Sequence, residues 1–280
     1  MDETSIEQRR AAFQALHRQG CFVIPNPWDI GSAMLLAGLG FKALASSSAG
    51  FAFSRGLPDT DWAVPRDAML AHIGELVRAT PLPVNADYES GYAHDPAGVA
   101  DSVRLCAATG VAGLSIEDNT GDAAAPLYDH TLAVERIAAA AEALKGSGVL
   151  LTARCEAFLV GHPEAEAEVL RRLPAFAEAG ADVLYAPGLR DAGQISRVVQ
   201  AVAPKPVNLL VSSPIGLSVA EIAALGVRRI SVGSAFARAA WGGFLRAARE
   251  VAGPGSFTAL ADAEPFGSLN DFFRKAEREG

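Results

Sequence analysis

At 280 residues, half of them hydrophobic and a fifth charged, the chain carries enough apolar material for one large core, and extensive disorder is excluded. A net charge of −8 argues against a nucleic-acid or anionic-membrane surface, which needs clustered Lys and Arg, so an anionic ligand must be bound locally. The amino terminus lacks the basic-then-apolar order of a signal peptide, and no apolar run reaches the roughly 18 residues of a membrane span. Cys21, Cys106 and Cys155 are an odd number at unpatterned spacing, which predicts buried, reduced thiols in a cytoplasmic protein rather than a disulfide framework or zinc site.

The first element in chain order is a flanking helix over residues 5–18, with Phe13 and Leu16 turned inward. From Cys21 onward, short β-branched runs alternate with Ala- and Leu-rich stretches of helical period, about every 25 to 35 residues. The strands fall at 22–24, 43–46, 84–87, 113–117, 149–154, 183–185, 207–211 and 229–232. Helices lie between and after them at 31–37, 66–78, 96–109, 131–144, 163–179, 192–203, 218–224 and 234–251. Pro65, Pro96 and Pro163 suit a first helical turn, and Gly40, Gly110, Gly180 and Gly226 suit left-handed helix caps. Ala252-Gly253-Pro254-Gly255 is a break, and a short amphipathic helix follows over 268–278. Eight such rounds with right-handed crossovers predict one α/β domain over 1–280. It is a (β/α)8 TIM barrel of core about 21–251, with flanking terminal helices and a tail over 252–280. No G-x-G-x-x-G opens the first helix, as a doubly wound nucleotide-binding sheet would require.

In this fold the active site forms at the C-terminal ends of the strands, where ionisable residues are concentrated here. Strand three ends in Asn85-Ala86-Asp87, with Asn85 and Asp87 two apart and so on one face; strand four ends in Glu117-Asp118, and strand five in Arg154-Cys155-Glu156. Arg55 and Asp59 lie on the long segment after strand two. Carboxylates and an amide converging on one mouth repel unless a cation joins them, and oxygen ligation suits Mg²⁺ or Mn²⁺. Arg154 is either a fork for a substrate carboxylate or a structural ion-pair partner of Glu117 or Glu156.

Five stretches in order resemble the isocitrate lyase and phosphoenolpyruvate mutase superfamily over about Val23 to Trp241. They are Pro27-Trp28-Asp29, Ser46-Ser47-Ser48-Ala49-Gly50 with Gly56 to Asp59, Asn85-Ala86-Asp87 with Gly91-Tyr92, Ile116-Glu117-Asp118, and Ala153-Arg154-Cys155-Glu156-Ala157-Phe158. The resemblance implies Mg²⁺ bound by Asn85, Asp87 and Glu117, directly or through water. It implies a 2-oxo acid held by Ser47, Ser48, Ala49, Asn85 and Arg154 and lined by Trp28, and chemistry served by Arg154, Asp59 and Glu117. It also implies exchange of the eighth barrel helix between subunits, hence a homodimer or homotetramer.

Two departures stand out. Asn85 occupies a position that is usually Asp in the family, leaving one less negative charge on the metal. The segment after strand four, Asp118 to His130, holds neither the cysteine of the family's lyases nor the lysine of its mutases and phosphonopyruvate hydrolases. The expected activity is therefore Mg²⁺-dependent cleavage or decarboxylation of a small, oxaloacetate-like 2-oxo or 2-hydroxy acid through an enolate-like anion. Decarboxylation makes the least demand for a positioned acid, since carbon dioxide leaves without protonation. The competing readings are a P–C bond enzyme and a barrel that binds a 2-oxo acid without turnover. A Schiff-base aldolase is disfavoured because Lys42, Lys145, Lys205 and Lys275 all lie away from strand ends. A zinc hydrolase is disfavoured because His17, His72, His94, His130 and His162 are scattered; Tyr128 and His130 are minor candidates for an acid.

Overall fold

The computed structural model describes residues 5–60 and 62–279; Met1 to Thr4, at the start of the segment read as lacking leader character, lie outside the described residues. Eight parallel strands, β1 (Phe22–Ile24), β2 (Leu44–Ala45), β3 (Val84–Asp87), β4 (Gly113–Glu117), β5 (Leu150–Arg154), β6 (Val183–Tyr185), β7 (Val207–Leu210) and β8 (Arg229–Ser231), form one sheet. Their order is β1-β8-β7-β6-β5-β4-β3-β2. Phe22 pairs with Arg229 where β1 meets β8, and the remaining seam is bridged by Ala45 N–H donating to Pro25 O at 3.0 Å. This is a (β/α)8 barrel with flanking helices.

Three helices lead toward β3: α1 (Ile6–Leu16), α2 (Ile30–Gly38) and α3 (Ser48–Ser54), followed by α4 (Arg66–Ala79). Then α5 (Pro96–Ala108), α6 (His130–Leu144), α7 (Ala165–Glu178), α8 (Ala192–Val202), α9 (Val219–Ala224) and α10 (Ala235–Ala252) each follow a strand. A 3₁₀ turn at Thr258–Asp262 leads to α11 (Phe266–Glu279). Period-two alternation sets the layers. Along β4, Leu114 and Ile116 are buried in the core against the helices, while Ser115 and Glu117 face the barrel interior.

The amino-terminal helix plugs the barrel's lower end. Ser5 and Gln8 form a capping box that starts α1, and Phe13, fully buried, packs edge-on against Phe22 and His17. Gly113 has to be glycine: a Cβ there would lie 2.7 Å from both the Phe13 ring and Asn85 Oδ1.

Gly40, Gly110, Gly180 and Gly226 all take positive φ after their helices, as expected. Pro96 opens α5 behind the Asp95 cap, but Pro65 is itself the N-cap residue of α4, and Pro163 precedes α7 by two residues. The segment after β2 read as a loop contains α3. Ser47 caps it by accepting the Gly50 N–H, and at seven residues it is too short to show a 3.6-residue period. All three cysteines are free; Cys106 and Cys155 are buried, whereas Cys21 is only half-buried. The tail does not hang free: the rings of Phe272 and Phe273 on α11 approach Gly38 and Gly31 of α2. No helix among the described residues is long and apolar enough to cross a membrane.

Candidate active site

The C-terminal strand ends enclose a cavity of about 180 Å³, roughly the liquid volume of six water molecules, which suits a four- or five-carbon acid. Ser47, Ser48, Ala49, Asp59, Asn85, Asp87 and Arg154 border it on the β2–β5 side, and Asn208, Arg229, Ser231 and Gly233 border it on the β7–β8 side. Asn26, just past β1, ties the two sides together. Its Nδ2 donates to Ser46 O at 2.8 Å, and its Oδ1 accepts the N–H groups of Val232 and Gly233 at 3.0 and 2.9 Å.

Charge is gathered around Arg154. Its guanidinium meets Glu117 at 3.1 Å and Asp87 at 3.5 Å and forms a bidentate pair with Glu156, while its plane lies over the Tyr185 ring. Burial pulls its pKa down, but Glu117, Glu156, Tyr185 and Asp87 together hold it well above its ordinary range. The carboxylates are less comfortable. Burial raises Glu117 well above the usual carboxylate range, and repulsion from Glu156 and Asp87 adds to this against the pull of Arg154. Asp59, which still reaches solvent on its loop, is raised by desolvation and by the charge of Asp87. Asp87 is held in place by Ser48, whose N–H and hydroxyl both donate to Oδ2 at 3.0 and 2.9 Å. Beneath it Asn85 Oδ1 is buried without a hydrogen-bond partner among the described residues.

The loop bearing Asp59 is pinned by backbone that only a fixed surrounding would tolerate. Trp62, Glu89 and Tyr92 all take positive φ, at 53°, 45° and 56°. Glu89 accepts from Trp62 N–H at 2.8 Å and from the Tyr92 hydroxyl at 2.7 Å, and Trp62 Nε1 donates to Ser90. Arg136 of α6, buried under this turn, donates to the carbonyls of Ser90, Ala93 and His94. Together these contacts fix the β2 and β3 loops against one another.

Behind Arg154, Asp118 accepts the Glu156 N–H at 2.8 Å and pairs with buried Arg172 at 3.2 Å. Burial dominates and raises Asp118 to about 6. A carboxyl whose folded pKa exceeds its unfolded value favours the fold when protonated, so this contribution is present below about pH 4 and is lost as pH rises to about 6. The two-unit displacement corresponds to about 3 kcal/mol. Glu168 acts in a separate window. Held at about 2 by its hydrogen bond from Arg171, it stabilises above its unfolded pKa and fails only in stronger acid. Thermal melts from pH 4 to pH 7 are expected to be flatter for Asp118→Asn than for the wild type; parallel curves would contradict the assignment.

Most of the residues singled out from sequence do meet at this cavity. Trp28 does not border it: its Cβ lies against Gly50, behind the Ser47–Ala49 wall. Glu117 is screened from it by Arg154. Tyr128 and His130 lie elsewhere; the Tyr128 hydroxyl shares a 2.6 Å hydrogen bond with His94, and its ring is covered by Arg136. Sequence reasoning missed Tyr185, Asn208, Arg229 and Ser231. The available signal was strand alternation, since Asn208, Arg229 and Ser231 occupy inward positions of β7 and β8.

The phosphoenolpyruvate phosphomutase family model matches residues 13–252. A solved structure of a candidate lyase/mutase from Burkholderia cenocepacia J2315 is 50% identical, with a TM-score of 0.92, over 96% of this chain and 97% of that one. An uncharacterized Mycobacterium tuberculosis protein is 34% identical over 80% of this chain and 82% of its own length. The oxaloacetate decarboxylase of Paraburkholderia xenovorans is 29% identical over 81% of this chain and 76% of its own length.

Proposed function

Because this chain belongs to the isocitrate lyase/phosphoenolpyruvate mutase superfamily, we propose that it is a Mg²⁺-dependent, cytoplasmic lyase of a small, oxaloacetate-like 2-oxo or 2-hydroxy acid. One observation carries the reading: Asp59 and Asp87 border the cavity while Asp87, Glu117 and Glu156 share the single guanidinium of Arg154, so carboxylates outnumber cations there and a further cation is called for. The donor set fits a hard ion. Asp59 and Asp87 offer oxygen only, and Asn85, whose Oδ1 packs against Gly113 and Phe13, borders the cavity beneath them. Among the described residues no three His, Cys, Asp or Glu side chains form a cage. An ion held by one or two carboxylates and completed by water and substrate is the habit of Mg²⁺, with Mn²⁺ as an alternative. Asp87 would hold it, with Asn85, Asp59 and Glu117 acting through water.

When bound, the ion supplies Lewis-acid polarisation of the substrate's oxo group. The chain's own residues do the rest. Ser47, Ser48 and Ala49 form the wall beside the substrate's oxo group, and Trp28 backs that wall. Arg154 holds Asp87, Glu117 and Glu156 in register and presents positive charge where negative charge develops. In decarboxylation the bond to the departing carboxylate breaks, its electron pair passes into the enolate-like anion, and carbon dioxide leaves. Asp59 borders the side of the cavity open to solvent, from which the carbon is reprotonated, so neither a loop cysteine nor a lysine is needed. The three unpaired cysteines fit a reducing compartment.

Release of pyruvate and carbon dioxide from oxaloacetate, corrected for the enzyme-free rate, is expected to stop with EDTA and return with Mg²⁺ or Mn²⁺. Turnover that ignores EDTA would end the metal reading; turnover of 3-phosphonopyruvate alone would transfer the site to P–C chemistry.

Assembly belongs to the same proposal. Ala237 is the one buried residue recorded along α10, whereas Phe236, Trp241, Phe244 and Leu245 are exposed. Such an apolar face exceeds what an isolated surface helix retains, and a second copy docking its barrel against α10 would cover it. Light scattering is expected to show a dimer or tetramer at micromolar concentration; a monomer would refute this.

A further inference from the structure

We propose that Arg229 anchors an anion subsite on the floor of the cavity, one that takes the carboxylate the ligand keeps through the reaction. Strand alternation in β8 turns Arg229 and Ser231 into the barrel and Ile230 out into the core among the helices. Arg229 is 3% exposed, yet it borders the cavity.

Its partners are all neutral. Nε donates to Asn208 Oδ1 at 2.8 Å, Nη2 donates to Thr152 Oγ1 at 3.0 Å, and Nη1 lies 3.4 Å from His17 Nε2. His17 cannot offset the charge: burial and Arg229 itself hold its pKa near 3, and Nδ1 is engaged by Phe13 O. No carboxylate among the described residues pairs with Arg229, and Tyr185 is the only group whose charge favours its protonated form. Of the five N–H groups of a guanidinium, three are directed at these partners, which leaves one on each Nη.

Burying an isolated cation is unfavourable unless an anion joins it. The cavity's other buried cation and the serines beside it are already engaged. Arg154 holds three carboxylates, Ser48 gives both its N–H and its hydroxyl to Asp87, and the Ser47 hydroxyl caps α3. Arg229 is thus the buried cation of the cavity whose counter-charge must come from a ligand. Asn208, itself fixed by its bond to Ser231 Oγ at 2.9 Å, sets the plane of the fork.

This rests on the lyase reading for its chemical consequence. With the oxo group toward Asp87 and the retained carboxylate on Arg229, the departing carboxylate is left to the rest of the lining, to which Leu159 and Leu210 contribute apolar surface. A guanidinium there would oppose its loss as neutral carbon dioxide. Arg229, one strand layer below, stabilises instead a charge that persists.

The test is calorimetric binding of oxalate, which has carboxylates but no departing group, to the full chain with Mg²⁺. Arg229→Met is expected to weaken oxalate at least about 100-fold, the worth of two charge-assisted hydrogen bonds, with a Tm equal to or above that of the wild type. Arg229→Lys, which keeps the charge but loses the fork, is expected to weaken it about 10-fold. Oxalate affinity within threefold of wild type in a folded Arg229→Met overturns the subsite. If that variant does not fold, unchanged affinity in Arg229→Lys overturns it. Wild-type protein that does not bind oxalate overturns it as well. Oxalate binding that depends on Arg229, without Mg²⁺-dependent turnover of oxaloacetate, leaves the subsite standing and refutes the lyase reading.

Discussion

Arg154→Met is expected to lower stability by about 3–5 kcal/mol near pH 7.5, the usual cost of removing one partner from a buried ionic cluster. For a chain of this length that is a fall in Tm on the order of 10 °C. The substitution preserves apolar bulk, so lost packing contributes little; what remains is Asp87, Glu117 and Glu156 facing one another without the cation that now touches all three. The pH dependence follows from Glu117. Burial and its neighbours already hold its pKa above the unfolded value, and Arg154 is the term that pulls it down. Removing Arg154 raises it further. A carboxyl with a raised folded pKa supports the fold while protonated and loses that support as pH rises through the folded pKa. The defect is therefore smallest near pH 5 and grows toward pH 8, and Arg154→Met/Glu117→Gln should recover part of it through their coupling. Melts of the three proteins at both pH values decide the matter; a defect independent of pH would mean that packing, not charge, is what Arg154 supplies.

The barrel was legible because its signal is repeated: each β-branched run is followed by a helical stretch, and several rounds are closed by a glycine such as Gly110 or Gly180 that has to take positive φ. A single ambiguous element, such as the two-residue β2, does not spoil a count of eight. What failed was local and short. The helix α3 depends on one Ser47 cap and has no room for a period, and the turn that brings Trp62 onto Glu89 needs three left-handed residues that no propensity announces. Asn85 and Asp87 could be placed on one face from spacing alone. The pairing of Arg154 with Glu117 and Glu156 stood only as one alternative and its contact with Asp87 of β3 was not foreseen, because these depend on how strands 30 residues or more apart in sequence come to lie. Arg229 was readable as an inward residue of β8. Its isolation was not, since a missing counter-charge is a property of the whole barrel interior.

Asp87→Ala is expected to reduce kcat/KM for Mg²⁺-dependent turnover about 10³-fold, which corresponds to roughly 4 kcal/mol of lost polarisation at the oxo group. Unlike the loss of Arg154, it should leave Tm within a few degrees of wild type. The variant forfeits the two hydrogen bonds from Ser48, but it also relieves the repulsion that Asp87 exerts on Asp59 and Glu117. The two effects oppose one another, the lost hydrogen bonds costing about 1 to 3 kcal/mol before that relief. Calorimetric titration with Mg²⁺ should show weakened metal binding in the same variant, and Asp87→Asn should share that defect because it keeps the shape but not the charge. Activity and metal affinity falling together in a folded protein would place the cation beside Asp87. Full metal affinity with lost activity would mean that Asp87 acts on the substrate and that the ion, if one is used, sits elsewhere in the mouth.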